Sequence, residues 1–373
     1  MIQLIQTKNH HRVHTDNLIN QKLNLLGDHI TRNQTRLYAM SALILLVLSL
    51  HFGHQLTSLP NAGFNLIAWS FISMMGVTLG YHRYFTHRSF QASRPLVVTL
   101  GITAFLSAQG TLKHWVATHR LHHRYADSIY DPHSPFEMDE HGNGTRTVTL
   151  RSFLWAHWFW QLDERSEYFR STGTRKLYKL GRCKDAFAYT KQLRADLKLK
   201  RLGWDLRDWY SKDIQEDPIT CTLDRYYPAI WLLSFGAPIV LSVTISSIRQ
   251  ILYTDQTLSS HALAASALSG LVWGYLARLV IVQELTNMIN SISHIAGYCS
   301  SQSRENAFRI GRNTPVLALL NLGESHHHNH HHNPKHPNFG KRWFELDIAY
   351  QCLRLLAMTG HVRMKSNGSE HID

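Results

Sequence analysis

The sequence has little of what staples a secreted fold. Its four cysteines, Cys183, Cys221, Cys299 and Cys352, include no C-x-x-C pair. Neither a thiolate zinc site nor a disulfide framework is therefore expected. No apolar run opens the chain, and the first begins near Leu37, too late for a secretory signal. There is no internal repeat and no groove-reading nucleic-acid module, so nucleic acid is not an expected partner. Acidic residues are scarce, 26 Asp and Glu against 39 Lys and Arg, which leaves a formal net charge of +13. With apolar spans present, that sign favours anionic lipid headgroups or phosphate-bearing small molecules.

What is abundant is histidine. There are 26, as many as all Asp and Glu together, and imidazole is the commonest metal ligand. A mean hydropathy of −0.22 conceals long apolar runs that alternate with very polar ones. Four runs are long enough to cross a bilayer, roughly Leu37–Leu59, Phe64–Tyr81, Ala229–Ile248 and Ala262–Ile289. Tyr226, Tyr227 and Pro228 read as an interfacial anchor followed by Pro in the first helical turn. Arg278 falls inside the fourth run, where a cation usually faces the bundle interior or a polar cavity. Pro95–Gly110 is also apolar, but histidines that share a site must lie on one side of the membrane. One crossing between them is not allowed, so this run is expected to be re-entrant or interfacial. The connections Thr57–Gly63 and Leu252–His261 hold no Lys or Arg. The positive-inside rule then puts both termini and every histidine cluster in the cytoplasm.

The expected organisation is an N-terminal tail over 1–36, a membrane domain over 37–360 and a C-terminal tail over 361–373. A charged insert at about 163–213 holds fourteen Lys and Arg against eight Asp and Glu. It reads equally well as a solvated helical cap or as a docking surface for an anionic partner.

The histidines form boxes at the ends of these runs. HRYFTH places His82 and His87 five apart, about 140° around an α-helix, which implies a helix end or kink. THRLHHRY gives His119, His122 and His123 at i, i+3, i+4, one face of a helix. His327, His330 and His331 in GESHHHNHHHNP repeat that spacing, and NSISH sets Asn290 one turn before His294. A single histidine is more often a satisfied surface or core residue, and a histidine tract alone could be a metal buffer. The conjunction of boxes at span ends defeats both readings. Nine imidazoles exceed the needs of one zinc, and imidazole-rich sites with open positions suit redox iron.

On HRYFTH, QGTLKHWVATHRLHHRYADSIYDPHSP, KDIQEDP, NSISH, GESHHHNHH and WFELD, the chain resembles the membrane acyl desaturases of the delta-9, stearoyl-CoA desaturase type. The likeness runs from about Leu66 to Arg354 and is interrupted by the charged insert. It implies an all-α membrane protein, four transmembrane helices with a cytoplasmic helical cap. It implies two Fe ions ligated by His82, His87, His119, His122, His123, His294, His327, His330 and His331, with Asn290 reaching its metal through a water. Trp115 and Arg278 sit where the family has those residues. Leu66, Ser70 and Met74, four apart on one face of the second span, read either as a helix-packing face or as the closed floor of an acyl tunnel, with packing the commoner case. Asn287 and Thr314 stand where the family has Trp, His328 where it has Asn, and His326 where it has an aromatic.

The implied reaction is O2-dependent insertion of a double bond into a fatty acyl-CoA or acyl-lipid. Electrons would come from an external donor of cytochrome b5, ferredoxin or rubredoxin type, since no H-P-G-G haem signature marks a fused one. The setting would be a bacterial inner membrane or the ER membrane. Asp131 and Glu324 are candidate acceptors to orient the rings. The rival readings are a di-iron hydroxylase, which would yield an alcohol, and a histidine-rich metal transporter or sensor.

Overall fold

The computed structural model describes residues 18–128, 131–137, 145, 147–161, 206–254, 256–299 and 311–364. Most of the charged insert (162–205) and the two chain ends lie outside these residues.

Four helices are long and apolar enough to cross a membrane: Ile19–Thr57, Ala62–Thr86, Pro218–Thr254 and Ser260–Ile295. The first belongs to α1 (Leu18–Thr57), so residues 18–36 of the expected tail are helical and continuous with the span. The second is α2 (Ala62–Met75), which widens into a π-helix over Gly76–Thr86. After a short strand β1 (Phe90–Ala92) comes α3 (Arg94–Leu106), the expected non-crossing run, and then α4 (Leu112–Tyr125) and α5 (Leu150–His157). At 13 residues α3 is too short to span the roughly 30 Å hydrocarbon core. Two short helices, α6 (Leu206–Tyr210) and α7 (Lys212–Glu216), precede α8 (Pro218–Thr254), the third span. The fourth is built from α9 (Ser260–Ser269), a π-helix over Gly270–Ala277, α10 (Arg278–Asn290) and α11 (Ile292–Ile295). Last come α12 (Pro315–Leu320), α13 (His327–His332), α14 (Ile348–Met358) and β2 (Val362–Met364), which pairs antiparallel with β1.

One expectation needs correction. Pro228 does not begin the third span, because both Pro228 and Pro238 lie inside α8. The helix starts ten residues earlier, where the Asp217 carboxylate accepts from the Ile219 and Thr220 N–H groups at 2.9 and 3.0 Å and Pro218 takes the first position. The H-x4-H box lies at a helix end, one of the two expected outcomes, and the helix there is a π-helix. The π-helix carries His82 and ends at His87, whose N–H donates to the His82 carbonyl at 3.1 Å, a five-residue step. That wider turn brings the two rings edge to face, centroids 4.9 Å apart, where an α-helix would splay them.

Glycine lets this π-helix lie against α3. A Cβ on Gly76 would fall 2.1 Å from the Thr103 carbonyl oxygen, and one on Gly80 would fall 2.7 Å from that of Leu100. The spans present Leu46, Leu50, Ile67, Leu232 and Val240 outward. Polar contacts between them are made by small side chains, with Asn65 donating to Ser242 Oγ at 3.0 Å and Ser269 Oγ at 3.2 Å. Arg278 is fully buried and donates to the carbonyls of Gly274, Leu106 and Ser234 and to Ser73 Oγ. Its guanidinium ties α2, α3 and α8 to the fourth span as a strut between helices.

Candidate metal centre

Each histidine box sits on an element whose end is held from elsewhere. Asp224 of α8 accepts from the Leu112 and Lys113 N–H groups at 2.6 and 2.9 Å, and Thr111 caps the same helix start. This fixes the rotation of α4, and with it His119, His122 and His123. The π-helix sets His82 and His87, and the break between α10 and α11 at Ser291 sets His294.

The nine histidines separate into two groups. His82, His87, His119, His123 and His330 form one, and His122, His294, His327 and His331 form the other; within each, the ring nitrogens lie within 4.8 Å of one another. His330 Nε2 is 2.9 Å from His82 Nε2 and 2.8 Å from His123 Nε2. In the second group His331 Nε2 is 3.1 Å from His122 Nε2 and 2.9 Å from His327 Nε2. Each i, i+3, i+4 box is thereby shared: one i, i+4 pair turns to one group and the i+3 ring to the other. His326, His328, His332 and His336 belong to neither group.

Three carboxylates hold rings from behind. Glu324 accepts from His82 Nδ1, Asp131 lies 3.0 Å from His122 Nδ1, and Asp127 lies 3.0 Å from His294 Nδ1. With Nδ1 donating, the Nε2 lone pair points into the group, the tautomer a metal requires. Burial first, and neighbouring imidazoles second, hold His87, His119, His123, His327, His330 and His331 well below the usual histidine pKa, so these rings are neutral. Converging neutral nitrogens cannot all pair with one another, and a cation satisfies them together. The donor set therefore fits a metal ion in each group.

A cavity of about 50 Å³ adjoins the group of five at His119, bordered also by Gln34, Trp115, His133, Gln283 and Asn290 among others. Trp115 Nε1 donates to Gln109, whose amide donates to Thr286 Oγ1 at 2.8 Å, and this brace keeps the indole at the cavity wall. Leu66 and Ser70 are half-buried, Met74 is packed in the core, and none of the three borders this cavity. Ser70→Phe is accordingly expected to overpack a helix contact at about 1–3 kcal/mol. Activity should fall equally on saturated acyl substrates of graded length, whereas a shortened length preference would place Ser70 at a tunnel floor. Asp127, His133 and Arg83 are site residues that the sequence reading passed over. Asp127 carried one signal, an acidic residue just beyond the second box.

Comparison with known proteins agrees with this geometry. The family model described as fatty acid desaturase matches residues 59–365. The chain belongs to the fatty acid desaturase family. The desaturase is 27% identical over 288 residues to a hex-5-enoyl-[acyl-carrier protein] acetylenase of Moorena producens, covering 77% of this chain and 71% of that protein. It is 26% identical over 315 residues to an sn-1 stearoyl-lipid 9-desaturase of Synechocystis (84% of this chain, 74% of that protein). It is 27% identical over 286 residues to Delta-9 acyl-lipid desaturase 1 of Arabidopsis thaliana (77% and 69%). The desaturase is thus a membrane oxidoreductase of fatty acyl groups with a metal site.

Proposed function

We propose that this protein inserts a cis double bond at the delta-9 position of a long-chain fatty acyl group, using O2 and electrons from an external donor. The observation that carries the reading is the division of nine imidazoles into a group of five and a group of four, side by side at the ends of apolar spans. The relatives named for position 9 of acyl lipids support the regiochemistry. Expression in a desaturase-deficient host, with profiling of double-bond position, tests it. An alcohol product would instead mark a hydroxylase.

His82, His87, His119, His123 and His330 would hold one iron; His122, His294, His327 and His331 would hold the other, with Asn290 reaching the second through a water. Bound iron would supply the O2-derived oxidant that an unactivated methylene needs. The chain's own residues do the rest. Neutral imidazoles leave each site cationic. Glu324, Asp131 and Asp127 fix ring orientation and tautomer. Trp115, braced through Gln109, and the neighbouring cavity wall confine the acyl chain beside His119. The buried surroundings of both groups exclude water from the reacting carbons.

In this reading α3 does not cross, which keeps the histidines on one side, and the positive-inside rule makes that side, with both termini, cytoplasmic. Reporter fusions after Gly110 and after Asp163 are expected on the same side as the C-terminus, and a fusion at Thr257 on the opposite side. Fusions after Gly110 and Asp163 that report different sides would mean that α3 spans.

A further inference from the structure

The fourth span carries a single acidic residue, Glu284, and neither histidine group uses it. A carboxylate in such a helix is costly unless it is partnered, and its partners point to its role. The Tyr38 hydroxyl of α1 and Trp158 Nε1, the latter at 2.9 Å, donate to one oxygen of Glu284. His157 Nε2 lies 2.9 Å from the other. His157 is the last residue of α5 and is buried. The Phe153 ring stacks on its ring at 5.5 Å, and Trp158 meets it edge to face at 4.6 Å. Glu284 and the two aromatics thus fix the imidazole and aim its second nitrogen. That atom, Nδ1, stands 2.7 Å from Ser291 Oγ.

Ser291 is fully buried and forms the break between α10 and α11, with φ −106° and ψ −72°. Asn290 precedes it, and His294 of the group of four follows on α11. The helical ladder thins here. The Ser291 N–H and hydroxyl both turn back to the Asn287 carbonyl, at 3.1 and 2.9 Å, and the His294 N–H reaches only the Ser291 carbonyl, at 3.1 Å. An α-helix turns about 100° per residue, so the direction of His294 depends on how this one residue is held. Asp127 orients the His294 ring, and Ser293 Oγ meets Ser325 Oγ at 2.9 Å, but both contacts lie beyond the break. His157 reaches the break itself, from another helix. With Nε2–H given to Glu284, Nδ1 meets the Ser291 hydroxyl as acceptor or as donor, and the contact closes either way.

We propose that His157 is a positioning residue for the group of four: fixed by Glu284, it holds the α10–α11 break through Ser291 and so sets the direction of His294. This rests on the two-group metal reading, whose own failure would show as a His330→Ala parent that holds no iron.

Anaerobic titration of purified full-length protein with ferrous iron tests it. In a His330→Ala background, which leaves only the group of four complete, His157→Gln should weaken iron about 10–100-fold, the scale for loss of a support behind a ligand. The glutamine amide reaches the place of Nε2 and keeps Glu284 but loses Ser291. His157→Asn puts its amide where Nδ1 stood, keeps Ser291, and should hold iron like the parent. Ser291→Ala should weaken iron as His157→Gln does. In a His122→Ala background, which leaves only the group of five complete, none of the three changes should alter iron affinity. Equal loss from His157→Gln and His157→Asn would mean that the ring only fills space and would overturn the proposal. So would equal loss in both backgrounds, or parental affinity in His157→Gln or Ser291→Ala.

Discussion

His330→Ala is expected to abolish alkene formation and to lower bound iron from about two to about one per chain, with membrane insertion unchanged. His330 Nε2 stands between His82 and His123 at 2.9 and 2.8 Å and belongs only to the group of five. Its loss therefore opens one site and leaves the group of four complete. His122→Ala is the reciprocal case, removing a member of the group of four that Asp131 holds from behind. Each variant should lose one iron, their combination should lose both, and all three should lack activity. His332→Ala, outside both groups, should retain iron and activity. Metal analysis of purified protein with fatty-acid profiling reads the outcome. Wild-type alkene yield from His330→Ala or His122→Ala would refute the assignment of the clusters.

The division of the boxes follows from helix geometry. On an α-helix, residues i and i+4 are about 40° apart, and i+3 lies about 60° to the other side. In α4 the i, i+4 pair His119 and His123 joins the group of five, and His122 turns to the group of four. In α13 the roles are reversed, with His327 and His331 in the group of four and His330 in the group of five. Spacing alone marked the one face of each box; that two such faces meet edge to edge required the packing of α4 against the His82 helix and α13. The four spans were legible because their apolar runs approach or exceed the length that crosses a bilayer, and the 94–106 helix was set apart only by the requirement that histidines sharing a site lie on one side. The π-helix was not, since its five-residue hydrogen bonds leave no pattern apart from the H-x4-H spacing itself. Pro228 misled because an aromatic pair followed by proline resembles a helix start, whereas Asp217–Pro218 supplies the real one. The amides that meet at Asn287 were invisible for a different reason: Gln161 and Gln283, which donate to its Oδ1 at 3.1 and 3.0 Å, come from distant segments, and each alone is an ordinary polar residue.

Glu324→Gln is expected to weaken metal binding at the group of five about 10–100-fold, the usual scale for loss of a partner that orients a ligand. The Glu324 carboxylate accepts from His82 Nδ1 and Thr78 Oγ1 and lies 3.4 Å from Arg83 Nη2, all in the buried interior. Glutamine keeps the shape but turns one acceptor into an N–H donor. Whichever way the amide is oriented, it meets either the His82 N–H or the donors of Thr78 and Arg83. The cheaper arrangement frees His82 to rotate or change tautomer. Stability should fall little, because Arg83 keeps Asp347 at 3.0 Å and the Pro337 carbonyl at 2.9 Å. Glu324→Ala differs: both variants remove the charge, but alanine also removes every acceptor for Thr78 and Arg83 on this side and leaves a buried gap, at a further cost of about 1–3 kcal/mol. The alanine variant should therefore lose more thermal stability than the glutamine variant, while both lose iron. Asp131→Asn should weaken the other iron by the same logic, since Asp131 also accepts from the Asp127 and His133 N–H groups and holds the loop behind His122. Iron titration and thermal unfolding, run on the same preparations, separate the two effects. A Glu324→Gln protein that binds both irons like the wild type would show that His82 needs no carboxylate to face the metal.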